Sequence, residues 1–143
     1  MTRVDFYIAP EAASDTTMFT ACRLAEKAWR HGTQVYIHTA SPLQAEQLDT
    51  LLWTYRDGSF VPHARRDDEF ASASPVVIGH TDEPPMTDEM LINIADAVPT
   101  FFSRFQRVAE IVGTLESQKV AARDRFRFYR DRGYELDTHH LKS

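Results

Sequence analysis

The first third of the chain alternates strand-like and helix-like segments, and this alternation constrains the fold more than any other feature of the sequence. Residues 3–9 and 34–38 are short runs rich in β-forming side chains. Apolar residues recur at helical spacing from a cap at Ser14 or Asp15 to about residue 31, and again from a cap at Ser41 to about residue 53. Strands that alternate with helices predict a parallel sheet with helices packed on its faces.

The remainder of the chain continues this pattern. Three further apolar runs of strand length are found at residues 75–79, 90–93 and 107–112. A short helix or turn is predicted at 99–105, a final helix from 116 to about 132, and a short edge strand at 134–138. We therefore expect a single α/β domain over residues 1–143, with a flexible tail at about 138–143. Its fold class is a three-layer Rossmann-like fold, with a mainly parallel central sheet flanked by helices.

Folds of this class often bind nucleotides, but the sequence argues against such a site. The segment after the first strand, residues 9–13, contains no glycine. A pyrophosphate needs close approach of the backbone at a helix N-terminus, which glycines provide. Neither GxGxxG nor GxxxxGK[ST] occurs in the chain. We expect no functional nucleotide-binding loop and no cofactor, and a nucleotide-dependent enzyme is kept as a rival hypothesis.

The sequence also lacks motifs for metal binding, for nucleophilic catalysis and for membrane insertion. The six histidines have no metal-ligand spacing, and no GxSxG motif occurs, so we predict no metal site and no catalytic residue. No run of 18 apolar residues is present, so we expect no membrane partner. The single cysteine, Cys22, rules out an internal disulfide and suits the reducing cytoplasm. Its position on the apolar face of the first helix predicts burial.

A basic segment with interleaved aromatic residues stands out near the end of the chain. Residues 119–132 contain six Lys or Arg against two Asp, whereas the whole protein has a net charge of −5. On a helix, four of these cations fall within about 80° of one another. We call them the basic row: Lys119, Arg123, Arg127 and Arg130. Phe126 and Tyr129 border the row, while Ala121 and Phe128 are expected to face the sheet.

The basic row has three interpretations that the residues alone leave open. A cationic row beside an apolar strip suits a short peptide that carries carboxylates and a hydrophobic anchor, because arginine binds carboxylates in a bidentate manner. Arginines bind nucleic-acid phosphates equally well. The third interpretation is a solvated helix face, with Phe126 and Tyr129 in the core.

A second unusual feature is an apolar island within a polar connection. Trp53 is followed, after a polar stretch, by Phe60, Val61, Pro62 and His63. Such residues either fold back onto the core or mark a surface that binds a partner. Pro62 restricts its own backbone and biases Val61 toward extended geometry, which favours one shape for the island.

The two features together resemble the chi subunit of bacterial DNA polymerase III, an accessory protein of the clamp loader. The resemblance runs nearly end to end. It is strongest at residues 59–63, at residues 122–130 and at Gly133-Tyr134. It implies a non-catalytic adaptor of the cytoplasmic, nucleoid-associated replisome, which contacts DNA mainly indirectly. Its implied partners are the psi subunit and the acidic C-terminal tail of the single-stranded DNA-binding protein.

The resemblance also implies two separate binding surfaces. The tail ends in a hydrophobic residue that bears the chain's own carboxylate. The residues implied for binding it, with Arg127 added from the basic row, are Val112, Lys119, Arg123, Phe126, Arg127, Tyr129 and Gly133. Familiar members carry tyrosine where this chain has Phe126, which keeps the ring and loses the hydroxyl. The residues implied for psi binding are Trp53, Phe60, Val61 and Pro62.

Overall fold

A computed structural model describes residues 2–11, 16–56, 58, 60–68 and 71–142. Its helices are α1 (Thr17–Arg30), α2 (Pro42–Thr54) and α3 (Glu116–Asp131). Its strands are β1 (Arg3–Ile8), β2 (Val35–His38), β3 (His63–Arg65), β4 (Val76–Gly79), β5 (Met90–Asn93), β6 (Arg107–Val112) and β7 (Glu135–His140). Two short 3₁₀ turns lie at Ala71–Ala73 and Phe102–Arg104.

The strands form one sheet in the order β3-β4-β2-β5-β6-β1-β7. Each neighbouring pair of described strands is parallel. The central strands β2, β4 and β5 are buried along their whole length, as expected for strands covered on both faces. This arrangement confirms the predicted Rossmann-like α/β fold, and the sheet is wholly parallel where a mainly parallel one was expected.

Two apolar clusters fill the space on either side of the sheet. Helices α1 and α2 pack on one face, where Cys22 and Leu48 meet strand residues such as Ile37. Helix α3 and the turn at Phe102–Arg104 cover the other face, where Tyr129 and Phe105 are buried against the strands. Cys22 has no exposed surface, as predicted, and burial raises the pKa of its thiol to about 12. None of the described helices has both the length and the apolar character needed to cross a membrane.

Several element boundaries refine the sequence predictions. The cap of α2 is as predicted, since the Ser41 hydroxyl oxygen accepts a hydrogen bond from the Gln44 amide at 3.1 Å. The proposed caps of α1, Ser14 and Asp15, lie outside the described residues. Strand β3 was not predicted, because it is three residues long and lies inside a polar connection. Strand β7 runs to His140, so it includes the first residues of the segment expected to be a flexible tail.

Candidate functional site

The inner face of α3 is held against the sheet by a buried carboxylate. Glu110 on β6 has no exposed surface and accepts hydrogen bonds from Arg125 Nε at 2.8 Å, the Tyr129 hydroxyl at 2.7 Å and Asn93 Nδ2 at 2.9 Å. Burial raises the pKa of Glu110, and the positive charge of Arg125 opposes that rise. Because Arg125 and Tyr129 both belong to α3, this network sets where the helix sits on the sheet.

The buried face of α3 differs from the predicted one. Ala122, Arg125 and Tyr129 are buried, at spacings of three and four residues along the helix. Ala121 and Phe128, which were expected to face the sheet, are only partly buried. The prediction was wrong because it assigned the inner face to apolar residues and gave Arg125 no place there. A buried carboxylate on β6 provides the partner that lets an arginine occupy the inner face.

A groove lies between α3 and the neighbouring strands β1 and β7, of which β7 is at the sheet edge, with a cavity volume of about 440 Å³. Its apolar part is formed by Phe6 and Ile8 of β1, Val112 at the end of β6, and Ala122 and Phe126 of α3. The rings of Phe6 and Phe126 pack edge to face with centroids 5.3 Å apart. We call this feature the α3 groove.

Two cations stand at the rim of the α3 groove. Lys119 Nζ lies 4.0 Å from Glu11 Oε1, and Arg123 Nη1 lies 3.8 Å from Glu116 Oε1. Both pairs have long N–O distances and are exposed to solvent, and ion pairs of this kind contribute little free energy. The Arg123 side chain is 58% exposed. Both cations can therefore turn toward another carboxylate that enters the groove.

The structure brings together part of the predicted tail-binding set. Val112, Lys119, Arg123 and Phe126 line the α3 groove, whereas Arg127, Tyr129 and Gly133 are not among its lining residues. Arg127 projects outward and its Nη1 lies 2.9 Å from Asp124 Oδ1. Gly133 follows α3 with a φ of +79°, a backbone conformation that favours glycine. Tyr129 is fully buried, so a bound peptide would not reach its ring, and its role here is to hold the helix.

Sequence reasoning missed the strand residues of the groove. Phe6 and Ile8 of β1 and Thr138 and His140 of β7 line it from the sheet side. The alternation of side-chain direction along β1 could have predicted them. If β7 is placed beside β1 at the sheet edge, every second residue of both strands points to the α3 side.

The apolar island forms a second exposed surface. The rings of Trp53 and Phe60 lie 5.2 Å apart between centroids, and the two residues are 48% and 63% exposed. The ring of His63 lies 4.5 Å from that of Trp53, and His63 Nε2 is 3.1 Å from Asp49 Oδ1. We call Trp53, Phe60 and Pro62 the aromatic surface.

Two members of the island are covered, and one of them, Val61, differs from the prediction. Val61 was assigned to the partner surface but has no exposed area, because it packs in the core beneath α2. His63, the last residue of the island, has a fully covered side chain, and its Nδ1 lies 2.7 Å from the Val61 carbonyl oxygen. The sequence left two alternatives for the island, packing in the core or exposure at the surface. Val61 follows the first and Phe60 follows the second.

These features define a parallel α/β protein with an apolar groove bordered by cations and a separate exposed aromatic surface. The family model described as "DNA polymerase III chi subunit, HolC" matches residues 1–137, so the chain belongs to the family of DNA polymerase III chi subunits. This confirms the resemblance noted in the sequence and assigns the protein to DNA replication.

Curated relatives agree with the family assignment. The chain is 45% identical to DNA polymerase III subunit chi of Pseudomonas aeruginosa over 141 residues, covering 99% of this chain and 98% of the relative. It is 30% identical to subunit chi of Haemophilus influenzae over 137 residues, covering 95% of each chain. It is 31% identical to subunit chi of Escherichia coli over 118 residues, covering 82% of this chain and 80% of the relative.

Proposed function

We propose that this chi-family protein is a non-catalytic adaptor, which joins the clamp loader to the single-stranded DNA-binding protein during replication. The α3 groove binds the acidic C-terminal tail of that protein, and the aromatic surface binds psi. The observation that carries the proposal is the composition of the groove, where an apolar floor is bordered by two cations that lack strong partners. A peptide end with a hydrophobic residue and a terminal carboxylate matches both parts.

The proposed contacts follow from the geometry of the groove. The hydrophobic end of the tail packs against Phe6 and Phe126, which removes apolar surface from water. The terminal carboxylate accepts hydrogen bonds from Arg123, and Lys119 adds a second positive charge. Phe126 supplies the ring without a hydroxyl, so its contribution is packing alone.

Replacing Arg123 tests the groove. Arg123→Ala should weaken binding of a tail peptide by about 1.5–3 kcal/mol, the usual contribution of a hydrogen bond to a charged group, or roughly ten- to a hundredfold in affinity. Isothermal titration calorimetry measures this directly. Arg104→Ala is the matched control, because Arg104 is an exposed arginine outside the groove and should leave affinity unchanged. Wild-type affinity in Arg123→Ala would refute the assignment.

The aromatic surface needs a separate test. Phe60→Ala removes a ring that is 63% exposed and should abolish co-purification with psi while tail binding is retained. Leu43→Ala is the control, since Leu43 is 64% exposed on the first turn of α2. If Phe60→Ala loses both partners, the variant has unfolded. If it keeps psi at wild-type levels, the aromatic surface does not bind that subunit.

A further inference from the structure

A cleft on the opposite face of β1 has a character unlike that of the α3 groove. It lies between α1 and the sheet, with a volume of about 410 Å³. Arg23 and Lys27 of α1 line it together with His31, the residue that follows the helix, while Tyr7 and Arg107 line it from the sheet. Because strand side chains alternate, Tyr7 points to the face opposite Phe6 and Ile8. We call this feature the α1 cleft.

The α1 cleft concentrates positive charge on an acidic protein. None of its lining residues within the described chain carries a carboxylate, although the net charge of the protein is −5. Arg23 donates a hydrogen bond to the neutral carbonyl oxygen of Lys142 at 3.3 Å. Arg107 has a carboxylate neighbour, Asp5 Oδ2, at 3.7 Å. The Asp5 side chain is only 2% exposed, points to the same face of β1 as Tyr7, and also lies 3.0 Å from His139 Nε2 through its Oδ1. Asp5 offsets part of the charge of Arg107, so the positive charge of the cleft comes mainly from Arg23 and Lys27 of α1.

The basic side chains along α1 form a line and not a point. Arg23, Lys27 and the C-cap residue His31 are separated by four residues each, so they follow one helix face and rise about 6 Å per step, or about 12 Å in all. Arg107 faces them from the sheet. A single phosphate or carboxylate would need only one or two of these groups. A line of this length suits a linear polyanion.

An aromatic pair lies at the sheet side of the cleft. The Tyr7 ring stacks on His139 of β7 with centroids 4.8 Å apart and planes 19° from parallel. The His139 side chain is 41% exposed. Aromatic rings beside a row of cations are the arrangement that proteins use for single-stranded nucleic acid, where bases stack and phosphates follow the charged groove.

We propose that the α1 cleft binds the backbone of single-stranded nucleic acid, with phosphates along Arg23, Lys27 and Arg107 and one base against the Tyr7–His139 pair. This site is independent of the α3 groove and of tail binding. Nucleic acid is favoured over an acidic peptide because the aromatic pair adjoins the cations. An acidic peptide and free phosphate are the alternative occupants, and the experiment separates them.

The test uses the full chain and a fluorescently labelled oligothymidylate of about 15 nucleotides at about 50 mM salt, followed by anisotropy. Arg23→Ala/Lys27→Ala should weaken binding about ten- to fiftyfold and lower the slope of log K against log salt by about 1.4, the value for two phosphate contacts on a single strand. The matched control, Arg127→Ala/Arg130→Ala, removes the same charge from α3 and should change affinity less than twofold.

Four results would overturn the proposal. They are no oligonucleotide binding by wild type, equal losses in the two double variants, full displacement by inorganic phosphate at millimolar concentration, and loss of tail-peptide affinity in Arg23→Ala/Lys27→Ala. The last would make the cleft part of a peptide site. Tail binding is measured on the same samples, so failure of the α1 cleft is distinguishable from failure of the α3 groove. Thermal denaturation of both variants checks that they are folded.

Discussion

The ion pair beneath α3 offers the sharpest test of how the helix is held. Arg125→Met keeps the approximate volume of the side chain but removes the charge that faces Glu110. The carboxylate retains the Tyr129 hydroxyl and the Asn93 amide as donors. Breaking a buried pair by removing one partner costs about 3–5 kcal/mol, and the two remaining donors place the expected loss near the lower limit. We therefore expect the free energy of unfolding to fall by about 3 kcal/mol at neutral pH.

The same variant should show a distinctive pH dependence. Burial raises the pKa of Glu110 from its ordinary value of 4.5, and without the opposing charge of Arg125 the rise becomes larger. Between 4.5 and the folded-state pKa, the folded variant then binds more protons than the unfolded chain. Its free energy of unfolding should decrease as pH rises through this window, so the deficit relative to wild type is smaller near pH 5 than near pH 7.

Urea unfolding at the two pH values measures both effects. Arg127→Met is the matched control, because Arg127 pairs with Asp124 at the exposed surface and its loss should not be measurable. Arg125→Met/Glu110→Gln should recover much of the stability and lose the pH dependence, since no buried charge remains. A loss below about 1 kcal/mol in Arg125→Met, or one that does not change with pH, would refute the argument.

Three further substitutions test local features by urea unfolding. Ser41→Ala removes the oxygen that caps α2 and should cost about 1 kcal/mol, whereas no loss would mean that Gln44 N–H finds another acceptor. Gly133→Ala places a Cβ at φ +79° with open space around it, so backbone strain alone should cost about 1 kcal/mol. Gly79→Ala would set a Cβ against the buried hydroxyl of Tyr36 and should cost about 1–3 kcal/mol; a neutral result would show that Tyr36 can move.

The fold was predictable because its signals are local. Short apolar runs between helical segments indicate a parallel sheet. The buried strand Val76–Gly79 is one of these runs and was predicted from its sequence. Strand β3 was missed for a physical reason. Its three residues, His63–Arg65, include two polar side chains, and only pairing with β4 makes them a strand.

The candidate site was only partly predictable, because half of it comes from distant strands. Lys119, Arg123 and Phe126 share one helix face, so helical spacing alone groups them. Phe6 and His140 join them only through the pairing of β1 with β7, which links residues far apart in sequence. The burial of Arg125 was not predicted, because it depends on Glu110 and no local pattern reveals that pairing.

Strand β1 carries side chains of both the α3 groove and the α1 cleft, because Phe6 and Ile8 point one way and Tyr7 points the other. Inserting or deleting one residue near the start of β1 would exchange the two faces, so the aromatic side chain of the cleft would enter the groove and the groove's apolar floor would face α1. Both surfaces would be lost together. Among chi-family sequences, length changes at this strand should therefore be avoided or confined to its ends.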